Sequence, residues 1–405
     1  MQKTFSIFVL ITLAFSLAAC APASAGAISS PTVVALPTST PSALPCTILH
    51  SPATPAALGA EFESHGHISG PANAPVTIVV FSDYQCPACA FLAASLKQIR
   101  LTHPEDVRIV FVNTPIASRD KDSLATQAVE AADLQGKYWE MHDLLFDKQA
   151  EWANLSLASF QDWLGQQAAG LGMETPKFLA DLKSAIVAGR VRQVVQSASN
   201  QAIIPPILFV NSSSRYTGLA DFASLDTVVK IEALSARQFS NCPAWVINPL
   251  KQYIATLHTS RGDVVIQLFP DKAPLAVDNF VWLARNHWYD GITFYKVLPK
   301  SLVMTGDPSE TGIGNPGYLF ETEILASPRF DQPGMAAMDN SGIDTNGSRF
   351  LITLSSAAQM NGQYTIFGKV ISGMDVLSAL TARNPQPGKY LPAGDKLINI
   401  VIQEQ

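Results

Sequence analysis

The chain lacks a basic excess: 27 Lys and Arg stand against 33 Asp and Glu. That argues against nucleic acid as the main partner, because proteins that bind it present a basic face. Charge of either sign is sparse, at 15% of residues, while 47% are apolar, too many for a disordered chain. Cysteine is scarce, with five in 405 residues; this is too few for a disulfide-dense scaffold, so each is read separately. No internal run reaches the roughly 18–20 apolar residues of a membrane span. Gly312-Ile-Gly-Asn-Pro-Gly317 is not a phosphate-binding GxGxxG between strand and helix, and Pro316 breaks the turn that loop needs. No nicotinamide, flavin or nucleotide fingerprint is present, and no cofactor is expected. A length of 405 residues implies two domains with extra segments.

Residues 1–20 read as an address. Lys3 precedes an apolar core from Phe5 to Leu17, which ends in Leu17-Ala-Ala-Cys20. The length fits a secretory signal, and small residues before a cysteine resemble the bacterial lipobox. That resemblance implies acylation of Cys20 and a lipid anchor that tethers the chain without spanning the membrane. Residues 21–60 contain no Asp, Glu, Lys or Arg and are crowded with Ala, Pro, Ser and Thr. They read as a disordered tether.

Pro75-Val-Thr-Ile-Val-Val-Phe81 is a short apolar, β-branched run, hence a buried strand. Cys86-Pro-Ala-Cys89 follows, and then Ala90–Ile99 with helical spacing. Cys86 thus sits where a strand turns into a helix, and Pro87 suits the first helical position. Free N–H groups there stabilise a thiolate, the nucleophile of disulfide exchange. Cys86 is read as the attacking residue and Cys89 as the resolving one. A zinc site needs further ligands, and neither a second CxxC nor the loop pair His65 and His67 supplies them; no metal is expected. A strand at Val107–Val112, a helical region from about Ser123 to Ser197, and Pro205-Pro206 before a strand at Ile207–Val210 complete the first domain, 61–240.

The pieces Gly70-Pro-Ala-Asn-Ala-Pro-Val-Thr-Ile78, Phe81-Ser-Asp-Tyr-Gln-Cys-Pro-Ala-Cys89, Gly136-Lys-Tyr-Trp-Glu-Met-His142 and Pro206-Ile-Leu-Phe-Val-Asn211, in that order, resemble the DsbA-like branch of the thioredoxin superfamily. The resemblance implies an α/β thioredoxin-like fold with a helical insertion, and makes Pro206 the cis-proline that faces the cysteine pair. Two departures stand out. Pro205 takes the place of the usual Thr or Val, and Val80 that of a glutamate thought to accept protons near the cysteines.

Cys46 and Cys242 bracket this domain. In an oxidising compartment they would close into a structural disulfide, adding about 4–5 kcal/mol in the chain-entropy model; free thiols and intermolecular links are the alternatives.

After a linker at 241–252, the texture changes. Many short strands with Gly-rich turns suggest a mainly β closed barrel over 253–405. Gly262–Pro274, Asp278-Asn-Phe280, Tyr289–Pro299, Gly306-Asp-Pro308, Thr345-Asn-Gly-Ser348 and Phe367-Gly-Lys-Val370 resemble the cyclophilin family. The resemblance implies a cyclophilin-like barrel that catalyses cis/trans isomerisation of X-Pro bonds, against a barrier of about 18–20 kcal/mol.

The family's Phe-His-Arg reads Phe294-Tyr295-Lys296 here, so Lys296 takes the place of the catalytic arginine. By the same resemblance Phe294, Met304, Asp339, Asn340, Leu351, Gln359, Met360 and Tyr364 line the substrate groove. The groove's phenylalanine falls at Ser301 and its tryptophan at Gln359. Lysine keeps the charge but loses the planar fork, so isomerase activity is expected to be weakened.

Together the features imply an extracytoplasmic, lipid-anchored folding factor. It would act on unfolded or partly folded exported polypeptides, with a redox partner that resets the Cys86/Cys89 pair. The alternative is a redox domain joined to a catalytically silent cyclophilin-like peptide-binding module; a lipoprotein scaffold with two vestigial sites is a third reading.

Overall fold

A computed structural model describes residues 43–49, 66–116, 119–199, 204–211, 214–217, 221–324, 328–386, 389–391 and 393–405. Cys20, His65 and most of the expected tether lie outside these residues. Among the described residues no helix is long and apolar enough to cross a membrane.

The chain enters through β1 (Thr47–Ile48) and then builds the first domain. Its strands are β2 (His67–Ser69), β3 (Val76–Ser82), β4 (Val107–Asn113), β5 (Ile207–Val210) and β6 (Ser214–Thr217), in spatial order β2-β4-β3-β5-β6. Among the described residues β3 and β4 run parallel, and the other pairs are antiparallel. Side chains alternate along β3. Val76, Ile78 and Val80 face the main core, whereas Val79 and Phe81 join Val110, Val112 and Phe209 in a smaller cluster.

The helix α1 (Pro87–Thr102) connects β3 to β4 and buries Leu92, Leu96 and Ile99 in the main core. Among the described residues between β4 and β5 lie six helices: α2 (Asp122–Asp133), α3 (Tyr138–Asp147), α4 (Gln149–Trp152), α5 (Leu157–Gly170), α6 (Thr175–Asp181) and α7 (Ala185–Ser199). α8 (Phe222–Leu234), capped by Asp221, adds Leu225 and Val229 to the same core.

The second domain is a nine-stranded antiparallel sheet wrapped around one core. In chain order its elements are β7 (Tyr253–Thr259), β8 (Gly262–Leu268), α9 (Pro274–Arg285), β9 (Ile292–Thr293), β10 (Lys296–Leu298) and β11 (Leu302–Thr305). There follow β12 (Tyr318–Leu319), β13 (Met335–Met338), β14 (Phe350–Thr353), β15 (Ile366–Ser372), α10 (Met374–Ser378) and β16 (Lys396–Glu404). The sheet order is β10-β11-β14-β13-β15-β8-β7-β16-β9. The expectation was a closed barrel. Among the described residues β9 and β10, the two ends of the ladder, are not paired with each other. A side chain spans this region instead, with Thr305 Oγ1 donating to Thr293 O at 2.8 Å.

The expected boundaries need correction. Residues 43–49 fall inside the expected tether, yet they belong to the second domain: β1 pairs with β12, Leu44 is buried in the barrel core, and Cys46 is bonded to Cys242. The strand edge of β12 supplies backbone partners that local composition does not reveal. Nor is 241–252 a free linker. Val246 N and Ile247 N donate to the buried carboxylate of Asp278 at 2.6 and 3.1 Å, and Ile247 is buried. Phe239 already packs on Trp282 and Trp288, with ring centroids 4.5 and 5.7 Å away.

His67, read as a loop residue, lies on β2. Its ring stacks on Tyr138 at 3.5 Å, and Nε2 meets the buried carboxylate of Glu130 at 2.8 Å.

Candidate functional site

Two sites emerge, one in each domain. In the first, Cys86 is the N-cap residue of α1 and Pro87 its first helical residue. The Cys86 sulfur accepts a hydrogen bond from Cys89 N at 3.3 Å. Cys86 is only 4% exposed and Cys89 is fully buried.

Several groups hold the turn before the helix. Tyr84 OH bonds His142 Nδ1 at 2.9 Å, and Gln149 Nε2 donates to the carbonyls of Tyr84 and Cys86 at 2.7 and 3.0 Å. Tyr138 and His142, both from the Gly136–His142 motif, thus act through Tyr84, whose hydroxyl also lies 3.5 Å from Tyr138 OH.

Asp83 is buried and heavily engaged. Its Oδ1 accepts from Gln85 N at 2.7 Å and its Oδ2 from Ile116 N at 3.2 Å. Arg119 Nη1 pairs with Asp83 Oδ2 at 2.8 Å. Asp122 Oδ1 accepts from Tyr84 N at 3.0 Å, while its Oδ2 is buried with no hydrogen-bond partner among the described residues. Burial and the neighbouring Asp83 push the Asp122 carboxyl up to about 8, so it keeps its proton at neutral pH.

These contacts polarise the two thiols in opposite directions. A hydrogen bond from the Cys89 thiol, the Cys89 backbone N–H and Arg119 together bring Cys86 down to about 6, against the opposing effect of burial. Its hydrogen bond to Cys86 and burial push Cys89 far up. At neutral pH, Cys86 is therefore the thiolate and Cys89 the proton-bearing partner, an asymmetry suited to attack by one and later resolution by the other.

Pro206 immediately precedes β5 and is half-buried, and the Pro205–Pro206 bond is cis. Ile207 pairs with Phe81, which brings Pro206 to the end of β3 that leads into the cysteine turn. Val80 is buried in the same apolar cluster as the two cysteines.

The second site is a row across the outer face of the barrel sheet. Lys296 is paired with Met304, Met304 with Leu351, Leu351 with Ala337, and Ala337 with Ile366. Directly opposed residues share a face, so a half-exposed ammonium stands at one end of an apolar strip. Leu351, Ala337 and Ile366 form a cluster with Phe330, Met335 and Ala357, separate from the barrel core. Met304, Met360 and Tyr364 pack on it.

Asn340 braces its own loop: Nδ2 donates to Asn346 Oδ1 at 3.2 Å, and Oδ1 accepts from Gly342 N at 3.2 Å. Gln359 is exposed on the short turn Ala358–Met360. Ser301 is exposed beside the β10–β11 turn.

Phe294 requires correction. It was expected to line the groove, but it is fully buried in the barrel core. The ladder is interrupted at residues 294–295 between β9 and β10, so strand alternation cannot be extended back from Lys296.

Asp339 is buried. Tyr295 OH donates to its Oδ2 at 3.2 Å, and Arg349 Nη1 lies 3.3 Å from the same oxygen. Arg349 also donates to Gly312 O and, through Nη2, to Ser341 Oγ at 3.1 Å. Sequence reading missed Arg349. The available signal was nearness in sequence, since Arg349 stands two residues before Leu351, just ahead of β14. It also missed Asp83, although the motif Phe81–Cys89 contains it, and Arg119 and Asp122, which no quoted motif contains.

Comparison with known proteins agrees with both geometries. Residues 254–402 match the family of cyclophilin type peptidyl-prolyl cis-trans isomerases, and residues 63–218 match a thioredoxin family. Peptidyl-prolyl cis-trans isomerase B of Streptomyces anulatus is 39% identical over 171 residues, covering 38% of this chain and 98% of that protein. Probable peptidyl-prolyl cis-trans isomerase A of Mycobacterium bovis is 40% identical over 147 residues, covering 33% of this chain and 81% of its own. A peptidyl-prolyl cis-trans isomerase of Arabidopsis thaliana is 40% identical over 150 residues, covering 36% of this chain and 94% of its own. The chain belongs to the cyclophilin-type peptidyl-prolyl cis-trans isomerase family and carries a thioredoxin-like domain ahead of its isomerase domain.

Proposed function

We propose that this chain is an extracytoplasmic folding factor, anchored by a lipid on Cys20, that couples thiol–disulfide exchange at Cys86/Cys89 to prolyl isomerisation on one tether. Its clients are unfolded or partly folded exported polypeptides. Disulfide formation and proline isomerisation are both slow folding steps, which gives the pairing a purpose. The first domain is read as DsbA-like, on the motifs that resemble that branch.

The observation that carries the exchange reading is the polarised pair: a cysteine sulfur that caps α1 and accepts from Cys89 N at 3.3 Å. In the oxidising direction, a client thiolate attacks the sulfur of Cys86 in the Cys86–Cys89 disulfide. A mixed disulfide forms, and Cys89 leaves and takes up a proton. A second client thiolate then attacks the client sulfur of the mixed disulfide and expels Cys86 as thiolate. Two electrons pass from the client dithiol to the pair, and a redox partner later removes them.

In the barrel, a client proline sits on the apolar floor at Leu351, and the Lys296 ammonium approaches the proline nitrogen. Charge there disfavours amide resonance and lowers the rotation barrier. Lysine offers a point charge where a guanidinium offers a fork, and Ser301 and Gln359 leave the groove with less aromatic surface, so turnover is slow for the family.

The test is catalysed oxidation of a reduced polypeptide, with wild-type chain compared with Cys86→Ser. Loss of catalysis in the variant supports the reading; an equal rate in both removes the redox role.

A further inference from the structure

The reading of Cys86/Cys89 as an exchange site leaves open what the helical insertion does for it. One side chain of the insertion bonds the nucleophile's own backbone. Gln149 opens α4, and its Nε2 donates to Tyr84 O at 2.7 Å and to Cys86 O at 3.0 Å. Only the NH2 end of an amide can donate to two carbonyls, so the orientation of the group is fixed. Its mount is rigid. Three residues on, Trp152 is fully buried, donates through Nε1 to Leu145 O at 2.8 Å, and stacks on Phe160 with centroids 4.6 Å apart.

The two carbonyls bracket the turn that carries the sulfur. Cys86 N donates to Asp83 O at 3.1 Å, and Cys86 O also accepts from Ala90 N at 3.0 Å. The carbonyl oxygen and the sulfur of one cysteine are four bonds apart, within about 5 Å. The positive end of the Gln149 amide therefore lies one hydrogen bond beyond the residue that bears the charge.

The titratable groups around this turn come from every side. Cys89 stands on α1, and Asp83 in the turn is paired with Arg119 at 2.8 Å. Asp122 of α2 accepts from Tyr84 N, and His142 of α3 bonds Tyr84 OH. Asp120 and Lys121 are paired at 2.8 Å, and Lys148 and Glu151, which flank Gln149, at 3.8 Å. Gln149 carries no charge of its own, so what it contributes does not change with pH.

Resting on the exchange reading, we propose that Gln149 is a positioning residue, through which the helical insertion holds the Cys86 turn and favours its thiolate, so that the pair oxidises its clients more strongly.

The electron balance gives the direction. A client dithiol gives up two electrons and two protons, and its sulfurs join. The Cys86–Cys89 bond breaks, Cys89 takes one proton, and the other goes to solvent, which leaves Cys86 as thiolate. A donor on Cys86 O offsets the negative end of that carbonyl beside the anion. The disulfide state has no anion to favour. Stabilising the reduced state makes a pair more oxidising, so loss of the donor moves the equilibrium toward the Cys86–Cys89 disulfide.

The test uses the full chain with glutathione as redox buffer. Thiolate absorbance is followed against pH, with Cys86→Ser as the blank, and the oxidised fraction is read by thiol trapping across glutathione ratios. Gln149→Leu is expected to raise the ionisation midpoint of Cys86 by about half a unit. The exchange constant then shifts about threefold, or ~15 mV toward a more reducing potential. Gln149→Glu, an acceptor with the opposite charge, raises the midpoint further. Gln149→Lys restores a donor of similar reach and returns the midpoint to the wild-type value or below it. Gln149→Met is a second apolar variant, and circular dichroism checks that each is folded. A merely structural role would move all four variants in one direction. The proposal is overturned if the apolar variants match wild type in midpoint and potential, or if Gln149→Lys is raised as far as Gln149→Leu. A wild-type pair that never oxidises at any glutathione ratio defeats the exchange reading itself, a result distinct from a cycling wild type with unshifted variants.

Discussion

Cys46 and Cys242 are joined across 196 residues of chain, and the thioredoxin-like domain lies wholly within the loop they close. The bond also fastens β1 to the isomerase domain, beside its pairing with β12. The segment entering from the N-terminal side therefore meets the isomerase domain before it reaches the thioredoxin-like one.

Loop closure of this length stabilises by about 5 kcal/mol in the chain-entropy model. Cys46→Ser with Cys242→Ser should therefore lower the denaturation midpoint of the isomerase domain. Hydrogen exchange should quicken first in residues 43–49 and 318–319. Unchanged exchange at those residues would mean that β1 is held by its backbone pairing alone.

Lys296→Ala should cut isomerisation of a proline peptide at least roughly tenfold, since removing a preorganised donor costs an enzyme this much or more. Lys296→Arg should raise the wild-type rate, because it restores the planar fork. Equal rates for wild type and Lys296→Ala would remove Lys296 from the chemistry.

Asp339 and Arg349 form a nearly buried pair, with side chains 9% and 12% exposed. Breaking such a pair from one side costs about 3–5 kcal/mol, whereas replacing both partners costs far less. Arg349→Gln alone should thus destabilise the isomerase domain strongly, and adding Asp339→Ala should return most of the loss. A chemical-denaturation cycle reads both terms, and additive losses would contradict the coupling.

Asp122 gives a pH signature. Its folded carboxyl titrates near 8, against about 3.9 in an unfolded chain. Between those values the folded state binds more protons, so stability falls as pH rises through that window. A Cys86→Ser background removes the thiolate, whose depressed value acts in the opposite sense between about 6 and 8.5. In that background Asp122→Asn should flatten the decline between pH 5 and 8. A slope unchanged by the substitution would place its origin elsewhere.

What could be read from the chain follows the range of the physics involved. The cap at Cys86, Pro87 in the first turn and the β7–β8 hairpin around Ser260–Asp263 are local, and their residue types announce them. Lys296, Met304 and Leu351 were placed by resemblance, and strand register then aligned them. The two-residue strand β1 was invisible, because its partners lie some 270 residues on and its composition matches a tether. Arg119 stands 33 residues after Cys86, and only the fold brings its guanidinium to Asp83 in the turn before the cysteine. Phe294 was likewise placed by resemblance, but it lies in the break between β9 and β10 and is buried in the barrel core.

The most direct measurement is the ionisation of Cys86 in the reduced wild-type chain, followed by thiolate absorbance from pH 4 to 10. The account predicts a midpoint near 6, with Cys89 remaining protonated throughout the neutral range. A midpoint near the ordinary thiol value of about 8.5 would contradict it, because no polarised nucleophile would then exist to exchange disulfides.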